Sequence, residues 1–259
     1  MILCPIFISS ADSYADLWPT FFELFKRYWP EYQGTIYLNT ESLEFQYPGL
    51  DIRCTKVGPK KSFGKTFRAG LTCVESDHLL LMMIDYFFIG KVDDAKMHHY
   101  FQAFEHHELS SLCLMPNRYD SQTPLNDQGL DLVVPPSKDM FSYQIAFWKK
   151  KSLWEMALPH ESPWLSEWYG TARANRMGLR LAVSNDTPIP YFPEGALHKG
   201  KWIEAMIQIL NSEHFKIDFS HRGIFTETKA SLLSRLRGRL QTFWPRLLSR
   251  IELHRRRKA

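Results

Sequence analysis

Six apolar residues, Leu79-Leu80-Leu81-Met82-Met83-Ile84, stop abruptly at an acid, Asp85. Tyr86-Phe87-Phe88-Ile89-Gly90 follow, with Asp93 and Asp94 just beyond. An apolar run of this length reads as a strand buried on both faces of a largely parallel sheet. Open α/β sheets bind ligands outside the carboxyl ends of such strands, so Asp85 is placed for chemistry. A carboxylate there suits a divalent cation that neutralises the phosphates of a nucleotide substrate. The plainer reading is an acid that caps a helix or orders a loop.

The elements that must position Asp85 follow from the pattern of the chain. Residues 2–8 read as a first strand, ending in the polar turn Ser9-Ser10-Ala11-Asp12-Ser13, with Asp12 or Ser13 as cap of a helix over about 14–28. Strands are expected at 35–38 and 51–57, then a basic connection (Lys60, Lys61, Lys65) and a helix over 65–76 that leads into the central strand. A helix over 92–107, a strand over 109–115 and a polar, Pro-rich loop over 116–140 come next. An apolar element over 143–148 precedes helices over 149–156 and 161–175, the second starting near Ser162-Pro163. A strand at 179–183, a Pro/Gly-rich loop and a short helix over 202–211 complete the body. This α/β alternation predicts a doubly wound sheet.

Composition narrows the class. The chain has 259 residues, 44% hydrophobic and 23% charged, which suits a globular domain of ordinary size. Its four cysteines, Cys4, Cys54, Cys73 and Cys113, form no CxxC pair, as expected in a reducing cytoplasm. The apolar N-terminus lacks the basic start of a signal peptide. No GxGxxG, P-loop, HExxH or GxSxG is present. His98-His99 and His106-His107, beside Glu105 and Glu108, read as the polar face of a helix.

Charge is divided unevenly. From Lys229 onward ten Lys and Arg face one acid, Glu252, a net +9 that leaves −5 on residues 1–228. Leu232, Leu233, Leu236, Leu240, Phe243, Trp244, Leu247, Leu248 and Ile251 fall on one helical stripe flanked by Arg235, Arg239, Arg246 and Arg250, with Pro245 expected to kink the helix. Such a helix suits an anionic membrane surface. Packing on the body and RNA binding are the other readings, and the apolar stripe and acidic body argue against nucleic acid. The expected division is a body over 1–228 and a basic amphipathic helix over 229–259.

The layout over about residues 1–205 resembles the GT-A glycosyltransferases, nucleotide-sugar-dependent enzymes with a Rossmann-like sheet, and in particular those of bacterial polysaccharide assembly. The run LLLMMIDYFF at 79–88 carries the resemblance. Ser9–Asp12, Ser142-Tyr143-Gln144-Ile145-Ala146-Phe147-Trp148, the spacing Glu161-x-x-Trp164-x-x-Glu167 and Gly195-Ala196-Leu197-His198-Lys199-Gly200-Lys201-Trp202 support it. It implies a mostly parallel central sheet flanked by helices. Ser9, Ser10 and Asp12 would meet the base and ribose of the donor, and Lys199 and Lys201 its diphosphate. Asp85 and His198 would hold Mn²⁺ or Mg²⁺, an imidazole and carboxylate being reasonable ligands. The chain departs from the pattern at Ile84, where a second acid is usual.

The resemblance also implies a general base at Glu167 or Glu161. Six residues apart on a helix, they point in different directions, so one of them reaches the site. Trp164 would stack on an acceptor sugar. The implied activity is transfer of a sugar to a hydroxyl of a saccharide or lipid-linked acceptor in surface polysaccharide synthesis. It would take place on the cytoplasmic face of the membrane, with stereochemistry left open. The alternative is a GT-A-like binding protein that has lost catalysis. A nucleotidyltransferase ranks last, because no Gly-rich basic segment follows the first strand.

Overall fold

A computed structural model describes residues 4–59, 62–116, 121–126, 129–135, 137, 140–227 and 232–255. Its spine is a nine-stranded sheet of order β3-β2-β1-β4-β8-β5-β9-β7-β6. The left half is wholly parallel: β1 (Ile6–Ser9), β2 (Thr35–Leu38), β3 (Asp51–Cys54) and β4 (His78–Met83). In the right half β5 (Ser111–Cys113) and β9 (Leu181–Ser184) pair parallel. There β8 (Ala146–Lys149) runs antiparallel to both β4 and β5, and β7 (Leu130–Val133) antiparallel to β9 and to β6 (Gln122–Pro124). Seven of these nine strands therefore share one direction.

The apolar run becomes β4 because both of its faces have something to cover. Leu80 and Met82 pack under α1 (Trp18–Tyr28) and α3 (Asp94–His106), with Phe21, Phe25 and Phe104. Leu79 and Leu81 face the other way, onto Phe67 and Leu71 of α2 (Phe63–Thr72), Leu153 of α4 (Lys150–Met156) and Ala174 of α5 (Pro163–Met177). All four β4 side chains are fully buried, each stabilising by about 1.5–3 kcal/mol, and a one-residue slip would exchange the two faces wholesale.

Three sequence expectations change. The loop expected over 116–140 contains the β6–β7 hairpin, where β7 extends the sheet beyond β9. The apolar element expected over 143–148 is a strand only from Ala146, as β8, which lies antiparallel between β4 and β5. Asp12 does not cap the first helix. It opens a 3-10 turn, Asp12–Leu17, that runs into α1 without a side-chain cap.

The start of α5 falls where Ser162-Pro163 places it, while α2 begins at Phe63 and ends at Thr72, earlier at both ends than the expected 65–76. Ser62 accepts from Lys65 N at α2, Asp93 from Lys96 N at α3 and Ser162 from Leu165 N at α5. The two-stranded hairpin of β10 (Leu197–His198) and β11 (Lys201–Trp202) and the helix α6 (Glu204–Ser212) follow β9. The C-terminal α7 (Leu232–Arg255) continues through Pro245 and packs on α5. Among the described residues no helix is long and apolar enough to cross a membrane.

Candidate active site

Strand order reverses direction at β1: β2 and β3 extend the sheet on one side, β4 and everything after it on the other. A crevice opens at such a point at the carboxyl ends of the strands. Here it is a cavity of about 590 Å³. Ser9 and Ser10 from the end of β1, Asp85 and Tyr86 from the turn after β4, Trp164 and Glu167 from α5, and His198 and Lys199 from the β10–β11 hairpin all line it.

Asp85 is held by its backbone. Its carbonyl accepts from Ala196 N at 2.7 Å, tying the turn after β4 to the loop before β10. Gly195, at φ +77°, lies so close that a Cβ there would be 2.7 Å from Asp85 Oδ2. Burial pushes the Asp85 carboxyl up to about 6, against the pull of its own backbone N–H. Among the described residues no cation forms an ion pair with it. The phenols of Tyr14 and Tyr86, which also line the cavity, are raised first by burial and then by the charge of Asp85. A half-desolvated carboxylate in a cleft, unmatched by a protein cation, is the arrangement expected of a ligand or proton-handling group.

The end of β1 is organised by a hydrogen-bonded lattice. Trp18 Nε1 donates to Ser10 Oγ at 2.9 Å, and buried Asn39 at the end of β2 accepts from Thr55 Oγ1 at 2.9 Å. Asp12 is drawn out of the site. Its carboxylate accepts from the backbone N–H of Glu41, Ser42 and Leu43 and from Ser42 Oγ, all within 3.2 Å. Burial works against ionisation there, but the Ser42 hydroxyl and the three amides prevail and hold the carboxyl below its ordinary value. Asp12 thus shapes the loop that brings Glu41 to the cavity and does not line it.

On α5 the two acids separate as their spacing requires. Glu167 faces the cavity, and its Oε1 accepts from Tyr143 N at 2.9 Å, which fixes its direction. Glu161 is 1% exposed and points into the protein. Its Oε1 accepts from Arg173 Nη2 at 2.6 Å and from Ser249 Oγ at 2.6 Å. Glu161 is therefore a structural acid and cannot reach an acceptor in this arrangement. Trp164, 70% exposed, stands at the cavity rim.

The β10–β11 hairpin turns on Lys199 (φ +51°) and Gly200 (φ +77°), the paired positive-φ geometry of a two-residue turn. It presents His198 and Lys199 to the cavity, while Lys201, across from His198 in the ladder, is not on its wall. The His198 ring stacks edge-on against Phe225 with centroids 4.3 Å apart. No group of three or more His, Cys, Asp or Glu able to hold a metal exists among the described residues. This donor set does not make a resident metal centre. It fits an ion that takes most of its ligands from phosphate and water and only one or two from protein. Lys65 is exposed and off the cavity wall, and Lys60 and Lys61 lie outside the described residues.

A second cavity of about 670 Å³ adjoins the first. Phe141, Ser142, Gln144, Trp168 and Thr171 line it, and Trp164 and Glu167 belong to both walls. Sequence reasoning missed Trp168, Tyr14, Glu41 and Glu194. Trp168 had a usable signal, since it lies four residues after Trp164 and so on the same helical face. Tyr14, Glu41 and Glu194 sit in segments with no motif and reach the site only through the fold.

No protein-family model matches the sequence, and no curated protein matches it. Solved structures do. A UDP-glucose pyrophosphorylase in complex with UDP-glucose superposes with a TM-score of 0.52 at 9% identity, covering 83% of this chain and 99% of that one. S. aureus TarS (1–349) gives 0.45 at 12% identity, over 73% of this chain and 59% of that one. At these identities the likeness concerns the fold: an α/β architecture with a large, mostly parallel central sheet flanked by helices.

Proposed function

We propose that the protein is a transferase that moves a sugar from a nucleotide-sugar donor to a hydroxyl of a saccharide or lipid-linked acceptor in surface polysaccharide synthesis. One observation carries the reading: the cavity at the β1/β4 switch point and the aromatic cavity beside it share Glu167 and Trp164 as a common wall. A donor in the first and an acceptor in the second would meet at a carboxylate. The similarity of the fold to a pyrophosphorylase that holds UDP-glucose supports a nucleotide sugar as donor.

In this reading Ser9 and Ser10 take the base and ribose, and Lys199 faces the diphosphate. Glu167 removes the proton of the acceptor hydroxyl as that oxygen bonds to the anomeric carbon. The bond from that carbon to the phosphate oxygen breaks, and the nucleotide leaves with the electron pair. This sequence inverts the anomeric centre. A Mn²⁺ or Mg²⁺ ion arriving on the diphosphate would find Asp85 and His198 as protein ligands and would supply charge stabilisation to the leaving group. The basic C-terminal segment would hold the enzyme at the inner face of an anionic membrane.

A second reading, nucleotidyl transfer, shares the fold of the same pyrophosphorylase. It lacks support at the turn after β1, where Ser9-Ser10-Ala11-Asp12 carries no basic or glycine-rich segment. A binding protein without turnover is the third. Product analysis separates them: glycosyl transfer releases a nucleotide without pyrophosphate, nucleotidyl transfer forms or consumes pyrophosphate, and a binding protein does neither.

A further inference from the structure

From residue 243 onward the C-terminal helix meets the body through Ser249, Glu252 and Leu253, away from its aromatic residues. Ser249 is fully buried, its Oγ 2.6 Å from Glu161 Oε1 and 3.0 Å from His160 Nε2. Glu252 turns inward to within 3.7 Å of Arg173 Nε. Leu253 completes the seam against Leu165 and Tyr169 of α5. At about 100° per residue, Trp244, Leu247 and Ile251 then lie about 140–160° around the helix from Ser249, with Leu248 about 100° away. They are exposed accordingly: Trp244 67%, Leu248 44%, Ile251 42% and Leu247 37%, with Phe243 at 58%.

Charge sorts the same way. The one acid of the C-terminal segment, Glu252, is spent on Arg173 at the docking seam, while Arg246, Arg250 and Arg255 remain exposed. The outward surface of α7 from residue 243 is thus aromatic, aliphatic and cationic, with no carboxylate. A stripe of this size left open to water fits a partner that is apolar beneath and anionic at its surface.

We propose that the outward face of docked α7, centred on Trp244, Leu247 and Ile251, is an interfacial surface for anionic lipid, with the protein body held beneath it by Ser249, Glu252 and Leu253. This deepens the membrane part of the proposed function by naming the surface and its orientation.

The test is flotation of the full chain with phosphatidylcholine vesicles, with and without phosphatidylglycerol. It needs no nucleotide sugar, so its failure is distinct from failure of the transferase reading. Wild type is expected to float with the phosphatidylglycerol vesicles and to be released by high salt. The triple variant Trp244→Ser, Leu247→Ser, Ile251→Ser changes only exposed side chains and should keep the wild-type melting temperature while binding at least tenfold less. Wild-type flotation by the triple variant, or equal flotation without phosphatidylglycerol, would overturn the proposal. So would a dimer that the triple substitution dissociates in a protein that ignores vesicles, which would assign the stripe to a second copy of the chain.

Discussion

Gly195 closes over Asp85 so tightly that a single added methyl carbon would sit 2.7 Å from the carboxylate oxygen Oδ2. The contact joins the end of the central strand to the loop that carries His198 and Lys199, and it depends on a backbone at φ +77° that L side chains rarely adopt. Gly195→Ala should therefore lose about 1–2 kcal/mol to backbone strain. It should also push the carboxylate aside. The expected result is a modest fall in melting temperature with a much larger fall in donor affinity. Unchanged donor affinity would show that the carboxylate position does not matter.

Asp85 has a pH signature of its own. Burial raises its folded-state value from 3.8 to about 6, so the folded protein holds a proton there that the unfolded chain has already released. The cost to stability therefore begins above about pH 4, grows as pH rises and is complete above about pH 6. Asp85→Asn should stabilise the protein by about 1–3 kcal/mol at pH 7.5, with the gain shrinking through that window. Urea unfolding at several pH values reads this directly. A destabilised Asn variant would mean that the carboxylate is held by a favourable partner.

The two α5 acids should behave oppositely. Glu167→Gln keeps the size and the Tyr143 hydrogen bond while removing the proposed base, so turnover should fall by about 10²–10⁴ with the melting temperature preserved. Glu161→Ala leaves Arg173 buried without its partner and should cost about 3–5 kcal/mol of stability. Equal loss of turnover in both, at equal stability, would refute this division of roles.

Trp168→Ala, which changes the wall of the second cavity and not of the first, should raise the acceptor KM roughly threefold to tenfold while leaving donor binding alone, the scale of losing one aromatic stacking contact. Initial-rate kinetics with each substrate varied in turn make the comparison. An effect on the donor KM instead would remove the second cavity from the acceptor side.

These contrasts also show which parts of the molecule could be read in advance. The run at 79–84 had to be a central strand because six consecutive apolar residues need cover on both faces, and that fixed where Asp85 would emerge. Ser162-Pro163 marked the start of α5 through purely local chemistry. What escaped was set by distant partners. Asp12 looked like a cap until amides 29–31 residues away claimed it. Glu161 looked as available as Glu167, and only the docking of Arg173 and Ser249, 12 and 88 residues away, buries it. The direction of β8 was unreadable for a similar reason, since an apolar strand pattern is the same for either orientation. Lys201 failed by register: one hairpin turn left it off the wall that Lys199 reaches.

Donor binding tests the central claim most directly. UDP-, GDP-, CMP- and dTDP-sugars, each with Mn²⁺ and with chelator, should be compared by thermal shift on wild type and on Asp85→Ala. A ligand that binds only the folded state raises the melting temperature, by about 2.7 kcal/mol of stability at a hundredfold excess over its Kd. The expected result is one nucleotide sugar that shifts wild type and fails to shift Asp85→Ala. No shift with any nucleotide sugar, or an equal shift in the variant, would contradict the account.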